Sequence, residues 1–107
     1  MHAMIRRYRM GAGTIEDLMR TVDRRFADNS QAELGILGYQ AIALDEETVM
    51  TVTLFATERR LRASEPAAEG IREALSDFKV EALEAADGPV MIARGSQRLA
   101  EPVRPAP

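Results

Sequence analysis

Residues 48–56 (TVMTVTLFA) constrain the fold more than any other segment, because they are rich in β-branched residues and carry no charge. Successive side chains of a strand point to opposite faces of its sheet. The two faces of this strand would present Met50, Val52, Leu54 and Ala56 on one side and Val49, Thr51, Thr53 and Phe55 on the other. Residues 34–44 (LGILGYQAIAL) are also uncharged on both faces. A sheet face in water normally shows charged residues at alternate positions, so we expect both faces of this sheet to be covered.

The first half of the chain predicts a strand, a helix and a hairpin. Residues 4–10 (MIRRYRM) read as a strand that stops at the turn formed by residues 11–13. Thr14 is placed to cap a helix that ends near Asp28, Asn29 and Ser30. The apolar stripe of this helix consists of Ile15, Leu18, Met19, Val22 and Phe26. The short acidic link at residues 45–47 predicts that strands 34–44 and 48–56 form an antiparallel hairpin.

The second half predicts another helix and a last strand. Residues 57–63 are interpreted as a turn or short helix, and Ser64 is predicted to cap a helix with Pro66 near its first position. The apolar stripe of this helix consists of Ala67, Ile71, Ala74, Leu75 and Phe78. Residues 79–86 are compatible with either a continuation of the helix or a strand. We predict that residues 79–94 form an extended, interrupted last strand, with VMIAR at 90–94 following a break at Gly88 and Pro89.

The resulting order β-α-β-β-α-β predicts a ferredoxin-like α+β fold, with one antiparallel sheet and both helices on one face. The economical cover for the other, uncharged face is an identical sheet related by two-fold symmetry, so we predict a homodimer. On this interpretation a charge at Thr53 would split the dimer. Residues 1–94 are assigned to the domain. Residues 95–107, which hold three of the five prolines, are assigned to a C-terminal arm or flexible tail.

Composition narrows the range of partners. A formal charge of −3 and a pI near 5.2 disfavour a nucleic-acid partner, which would need a basic face. No apolar run is long enough for a signal peptide or a membrane span. With no cysteine, thiolate nucleophiles, disulfides and cysteine-based metal sites are excluded. The expected location is the cytoplasm.

Three segments carry a resemblance to a known superfamily. The opening MIRRYRMGAGTIEDLMRTVDRRF, the strand LGILGYQAIAL and the segment TVTLFATERRLRASEPAAEGIREAL resemble the dimeric α/β-barrel superfamily, near its antibiotic-biosynthesis-monooxygenase group. The resemblance implies homodimers whose sheets form a barrel, and for some members cofactor-free monooxygenation of polycyclic aromatic substrates. Others degrade haem with an Asn, a Trp and a His. Here Trp is absent, and Asn29 and His2 lie in a loop and at a terminus predicted to fray, so those roles do not transfer.

Five side chains are candidates for lining a ligand pocket: Tyr8, Arg9, Tyr39, Thr51 and Thr53. The two tyrosines are suited to hydrogen-bond a substrate oxygen or, with a lowered pKa, to act as acid or base, although packing at a strand rim is the simpler interpretation. Arg7 and Arg9 share one face of the first strand and are suited to clamp a carboxylate or enolate, or to pair with acidic residues across a dimer seam. No metal site is predicted, since His2 is the single histidine, and no cofactor is expected.

Three functions remain open from the sequence. The first is a cofactor-free monooxygenase-like enzyme that binds a small aromatic or apolar substrate in the barrel. The second is a non-catalytic ligand-binding or stress-associated dimer, which the missing Trp and the lack of a usable His favour. The third is a purely structural or interaction protein, which would follow if side chains fill the pocket.

Overall fold

The computed structural model describes residues 1–28 and 35–100. Its regular elements are β1 (His2–Arg9), α1 (Ile15–Asp28), β2 (Ile36–Ala43), β3 (Thr48–Phe55), α2 (Glu58–Ala74) and β4 (Glu81–Pro89), with 3-10 turns at Ser76–Phe78 and Gln97–Ala100. The predicted helix end at Asn29 and Ser30 and the predicted strand start at Leu34 lie outside the described residues. The same holds for residues 101–107 and for the side chains of Phe26, Ala67, Ile71 and Ala74.

The four strands form one antiparallel sheet in the order β2-β3-β1-β4. β1 lies at the centre, hydrogen-bonded to β3 on one side and to β4 on the other. Each helix connects two strands that are separated in the sheet by one intervening strand. The arrangement is the ferredoxin-like α+β fold that the order of elements predicts.

Both helices pack on the same face of the sheet, called here the inner face. Inner-face residues of the two central strands are His2, Met4, Arg6 and Tyr8 of β1, paired with Phe55, Thr53, Thr51 and Val49 of β3. One buried cluster joins Leu18 of α1 to Val49, with Met10 and Leu75, and a second joins Leu61 of α2 to Met4 and Phe55. The apolar core is therefore divided between the two ends of the inner face. In the described chain no helix is both long enough and apolar enough to cross a bilayer.

Within residues 1–28 and 35–100, no helix lies on the opposite, outer face. Its residues on the central strands are Ala3, Ile5, Arg7 and Arg9 of β1 and Thr48, Met50, Val52 and Leu54 of β3. Ile5 and Ile42 are each 42% exposed on this face. The prediction that the helices leave one semi-apolar face uncovered is therefore confirmed for the single chain.

The predicted hairpin is held by its acidic link. Asp45 Oδ1 accepts hydrogen bonds from the backbone N–H groups of Glu47 at 2.8 Å and Thr48 at 2.7 Å. Such a carboxylate closes a turn by replacing backbone partners, which explains why this short connection suffices. The same two bonds lower the pKa of Asp45.

The predicted start of the second helix at Ser64 is wrong. The helix begins at Glu58, where Thr57 Oγ1 accepts the N–H of Arg60 at 3.1 Å as an N-cap. Ser64 lies inside the helix and its hydroxyl donates to the Leu61 carbonyl at 2.7 Å. The helix continues through Pro66, although proline has no N–H to donate. A Ser-x-Pro sequence is typical of a helix start, but packing of Leu61, 1% exposed, extends the helix on its N-terminal side.

The last strand and the first strand also differ from prediction. β4 runs through Gly88 and Pro89, the predicted break, and residues 90–94 are not a strand. β4 pairs with β1 along its whole length, and the last bond of this pairing runs from the Val90 N–H to the Met1 carbonyl at 3.0 Å. After Val90 no described strand lies beside the chain, so residues 91–94 have no strand with which to pair. Because of the pairing between β1 and β4, His2 is not frayed: it is the first residue of β1 and is 8% exposed.

The turn between β1 and α1 depends on Gly13, whose φ of +80° favours glycine. A Cβ built at this position would lie 2.9 Å from Cδ1 of Phe78, which packs against the core. Thr14 Oγ1 then accepts the N–H of Asp17 at 3.2 Å, which confirms Thr14 as the cap of α1.

We predict that Gly13→Ala lowers the free energy of unfolding by about 1–3 kcal/mol, because the substitution forces an unfavourable φ and a contact with Phe78. Urea denaturation measures this change. Gly88→Ala is the matched control, since a Cβ there meets nothing within 4 Å. Equal losses from the two substitutions would contradict the explanation.

Candidate functional site

The middle of the inner face is polar, in contrast to the apolar clusters at its two ends. Arg6 pairs with Thr51 across β1 and β3, and Thr51 pairs with Ala41 of β2. Thr53 likewise pairs with Tyr39 of β2. Residues opposite each other in an antiparallel sheet share a face, so these side chains lie together under the helices. This group, with Tyr8 two residues along from Arg6, is called here the polar centre: Arg6, Tyr8, Tyr39, Thr51 and Thr53.

The two tyrosines and Arg6 interact electrostatically. The pKa of Tyr39 is raised to about 12, mainly by burial and to a smaller extent by the neighbouring Tyr8, while Arg6 opposes the rise. A phenol with this pKa stays protonated near neutral pH, so Tyr39 is able to donate a hydrogen bond but is not suited to serve as a base. The condition for an acid or base role, a lowered pKa, is therefore not met by Tyr39, whereas its role as a hydrogen-bond donor stays open.

Small side chains flank the polar centre on both edge strands. The inner-face positions nearest to it on β2 and β4 are Ala41, Ala43, Ala82 and Ala85. All four are exposed even though their face carries the helices. The helices therefore leave the sides of the inner face open, and short alanine side chains keep space beside the polar centre.

Four of the five predicted pocket residues lie together at the polar centre, and Arg9 does not. Arg9 lies on the outer face, as does Arg7, because both alternate with Tyr8 along β1. Arg7 pairs with Glu84 of β4 across the sheet at 3.5 Å, and its Nε atom is buried without a hydrogen-bond partner. Among the three arginines of β1, Arg6 is the one on the inner face, and its spacing of two residues from Tyr8 is the signal that would have identified it.

An open cleft of about 780 Å³ lies at the end of the sheet nearest the hairpin. It is lined by residues 10–16, by Ala43 of the inner face and by the hairpin residues Asp45, Glu46 and Glu47. Its volume is in the usual range for ligand sites. The carboxylates along its rim repel anions, and none of the polar-centre residues lines it.

A second polar cluster, not predicted from the sequence, lies at the opposite end of the inner face. His2 Nε2 is 2.8 Å from Asp87 Oδ1, which also accepts a hydrogen bond from Arg62 Nη2 at 2.9 Å. Arg62 Nη1 reaches the other Asp87 oxygen at 3.3 Å, so the guanidinium and carboxylate form a bidentate pair. The cluster joins β1, β4 and α2. Its members are far apart in sequence and none is part of a motif, so only the β1–β4 register reveals it.

The donor atoms of His2, Glu58 and Asp87 lie within 4.8 Å of one another, a spacing that would suit a metal ion. Arg62 already supplies a positive charge at this point, because it contacts Glu58 at 3.4 Å as well as Asp87. A cation would have to displace the guanidinium from both carboxylates. We therefore assign the cluster a structural role that ties α2 to the two strands.

No protein-family model and no curated protein sequence matches the chain. Solved structures do match in fold. A protein from Chloroflexus aurantiacus provisionally assigned as an antibiotic biosynthesis monooxygenase superposes with a TM-score of 0.63 at 14% identity, covering 88% of this chain and 96% of that one. SnoaB from Streptomyces nogalater, described as a cofactor-independent oxygenase, gives 0.58 at 10% identity, covering 86% and 94%.

A dimeric ferredoxin-like protein from an uncultured marine organism gives a TM-score of 0.51 at 7% identity, covering 88% of this chain and 93% of that one. At these identities the likeness establishes the fold and not the activity. The resemblance to antibiotic-biosynthesis-monooxygenase-like proteins, inferred from three sequence segments, is thus confirmed as a likeness of fold.

The His2–Asp87–Arg62 cluster predicts a specific acid sensitivity. Hydrogen bonds from His2 and Arg62 hold the pKa of Asp87 below its ordinary value of 3.8. The stability that this carboxylate contributes is therefore present above pH 3.8 and is lost as the pH falls through the lower pKa of the folded state. We expect the difference in unfolding free energy between wild type and Asp87→Asn to narrow over that acid range, as measured by urea denaturation at a series of pH values.

Asp77→Asn serves as the control, because it makes the same change of charge in an exposed turn. The difference in unfolding free energy between wild type and Asp77→Asn should change less over the same pH range than the difference for Asp87→Asn. If wild type and Asp87→Asn lose stability in parallel throughout the acid range, the cluster does not stabilise the fold in this way.

Proposed function

We propose that this protein is a homodimer in which the outer faces of two sheets pack against each other. The argument rests on the outer face itself, where Ile5 and Ile42 are half-exposed and Met50, Val52 and Leu54 form an apolar row along β3. Burying such a row removes apolar surface from water. A dimeric protein of the same fold supports the proposal.

We further propose that the protein is located in the cytoplasm, since a chain without cysteine suits a reducing compartment.

The structure changes which residues test the dimer. Thr53 lies on the inner face opposite Met4 and Tyr39, so a charge there would disturb the polar centre and not the outer face. The matching outer-face position is Val52, which pairs with Ile5 of β1 and Gln40 of β2.

We predict a dimer at micromolar concentration for the wild type, and for Val52→Asp a dissociation constant about 100-fold or more higher, because each dimer would bury two unpaired carboxylates. Sedimentation velocity measures both. Ser76→Asp adds the same charge in an exposed turn and should leave the dimer intact. A wild-type chain that sediments as a monomer would refute the homodimer.

We propose that the polar centre binds a small aromatic ligand through a phenolic or enolic oxygen. The arrangement that carries this proposal is a half-buried arginine beside two tyrosines, with exposed alanines leaving space next to them. Arg6 would stabilise negative charge on the ligand oxygen, and the protonated Tyr39 would donate to it.

Two roles are compatible with this site. One is cofactor-independent oxygenation, the activity described for SnoaB, in which an anion of the substrate would itself supply the electrons to O₂. For that role Arg6 would stabilise the anionic form of the substrate through its positive charge. The other is ligand binding without catalysis. Tyr39 favours the second role in one respect, because its pKa near 12 leaves it unsuited to remove a proton from the substrate.

We predict that Arg6→Gln weakens binding of 1-naphthol about tenfold or more, since it removes a charged hydrogen-bond donor. Isothermal titration calorimetry measures the dissociation constants. Arg9→Gln is the matched control, because the same change on the outer face leaves the polar centre intact. Naphthalene, which lacks the hydroxyl, should bind wild type and Arg6→Gln equally. Equal effects of the two arginine substitutions would exclude the inner face as the site.

Oxygen uptake with anthrone separates the two roles. An oxygenase would accelerate uptake in wild type, with one oxygen atom entering the product as a ketone and the other leaving as water, and Arg6→Gln would slow it. A binding protein would retain anthrone without accelerating its oxidation.

A further inference from the structure

A histidine and two carboxylates converge near the start of α2. The donor atoms of His2, Glu58 and Asp87 lie within 4.8 Å of one another, although the three residues belong to β1, α2 and β4. One imidazole with two carboxylates is a donor set that Zn²⁺ and similar divalent metals accept. His2 is 8% exposed and its backbone is held in the β1 ladder, so the imidazole is already positioned before any ion binds.

Arg62 already contacts both carboxylates of this donor set. Its Nη2 atom is 2.9 Å from Asp87 Oδ1 and 3.4 Å from Glu58 Oε1, so one guanidinium serves both residues. Two carboxylates this close repel each other unless a cation lies beside them. The structural role of the cluster therefore requires a cation, and the chain supplies its own. A metal ion bound to the same two carboxylates would meet the same requirement.

The side chain of Arg62 is able to leave the cluster without disturbing the core. It is 47% exposed, whereas the neighbouring Leu61 is buried and anchors the helix against the sheet. Glu65 already contacts Arg62 Nη1 at 3.5 Å and offers the guanidinium a partner outside the three donors. The exposed side chain of Glu58 is likewise able to rotate toward the spacing of about 3.4 Å between donors that surrounds a tetrahedral Zn²⁺. Exchange of the guanidinium for an ion therefore moves surface side chains and leaves the backbone in place.

We propose that His2, Glu58 and Asp87 form a binding site for a divalent transition metal such as Zn²⁺, which Arg62 closes when no ion is bound. The metal and the guanidinium occupy the site alternately, and either of them ties α2 to β1 and β4. The ion replaces the His2–Asp87 hydrogen bond and the Arg62 ion pairs, so it binds less tightly than it would without the arginine. The site is separate from the polar centre and from the outer face, so it depends neither on a ligand nor on the dimer.

Calorimetric titration of the full chain with ZnCl₂ near neutral pH tests the proposal, and we expect one Zn²⁺ per chain. Arg62→Ala should lower the dissociation constant about tenfold or more, because the ion no longer displaces a guanidinium. Glu58→Gln should raise it about tenfold or more, because an amide is a weaker ligand than a carboxylate. Arg59→Ala and Glu73→Gln are the matched controls: they make the same changes of charge at exposed positions of α2 and should leave the constant unchanged.

Co²⁺ provides a second, spectroscopic measurement. His2→Gln should remove the visible absorption that Co²⁺ gains when it binds the wild-type chain, and thermal unfolding of each variant checks that it is folded. Absence of Zn²⁺ binding to wild type at about 1 mM metal would overturn the proposal. Binding that Glu58→Gln leaves unchanged would also overturn it, since the ion would then lie elsewhere on the chain. Equal dissociation constants for Arg62→Ala and wild type would show that the arginine does not close the site.

Discussion

The pairing of β1 with two neighbours is the interaction on which the rest of the structure depends. β1 is hydrogen-bonded to β3 along one side and to β4 along the other, so it joins the two halves of the chain. Its alternation also assigns each side chain to a face: Met4, Arg6 and Tyr8 turn toward the helices, and Ile5, Arg7 and Arg9 turn away from them. A slip of one residue would exchange these two sets. Arg7 and Arg9 would then face the helices, and Met4, Arg6 and Tyr8 would face away from them.

Most of the fold could be predicted because its elements carry local signals. The uncharged strand β3, the capped helix α1 and the acidic hairpin each follow from residues close together in sequence, and all three are confirmed. The errors arose where a distant contact decides. Ser64 and Pro66 have the local pattern of a helix start, yet burial of Leu61 places the start earlier. The end of β4 is set by where β1 ends its ladder and not by Gly88 and Pro89.

The candidate site could be predicted only in part for a related reason. Residue type selected Tyr8, Tyr39, Thr51 and Thr53, which the register places on one face. Residue type alone does not distinguish Arg6 from Arg9. The face of each depends on which alternate set of β1 side chains, the one that contains Met4 or the other, packs into the buried cluster with Phe55. The cluster of His2, Asp87 and Arg62 was missed because 85 residues separate the first two and no short pattern links them.

The position of β1 also bears on how the chain folds. Its partner β3 lies about midway along the sequence, but β4 lies near the far end, and closing so long a loop is entropically costly and slow. Until β4 arrives, the central strand of the finished sheet is an unprotected edge strand. Such edges are where chains join one another and aggregate, and charged residues oppose this. Arg6, Arg7 and Arg9 place three positive charges on this temporary edge. We therefore expect residues that occupy defined places in the folded protein also to oppose association of unfinished chains.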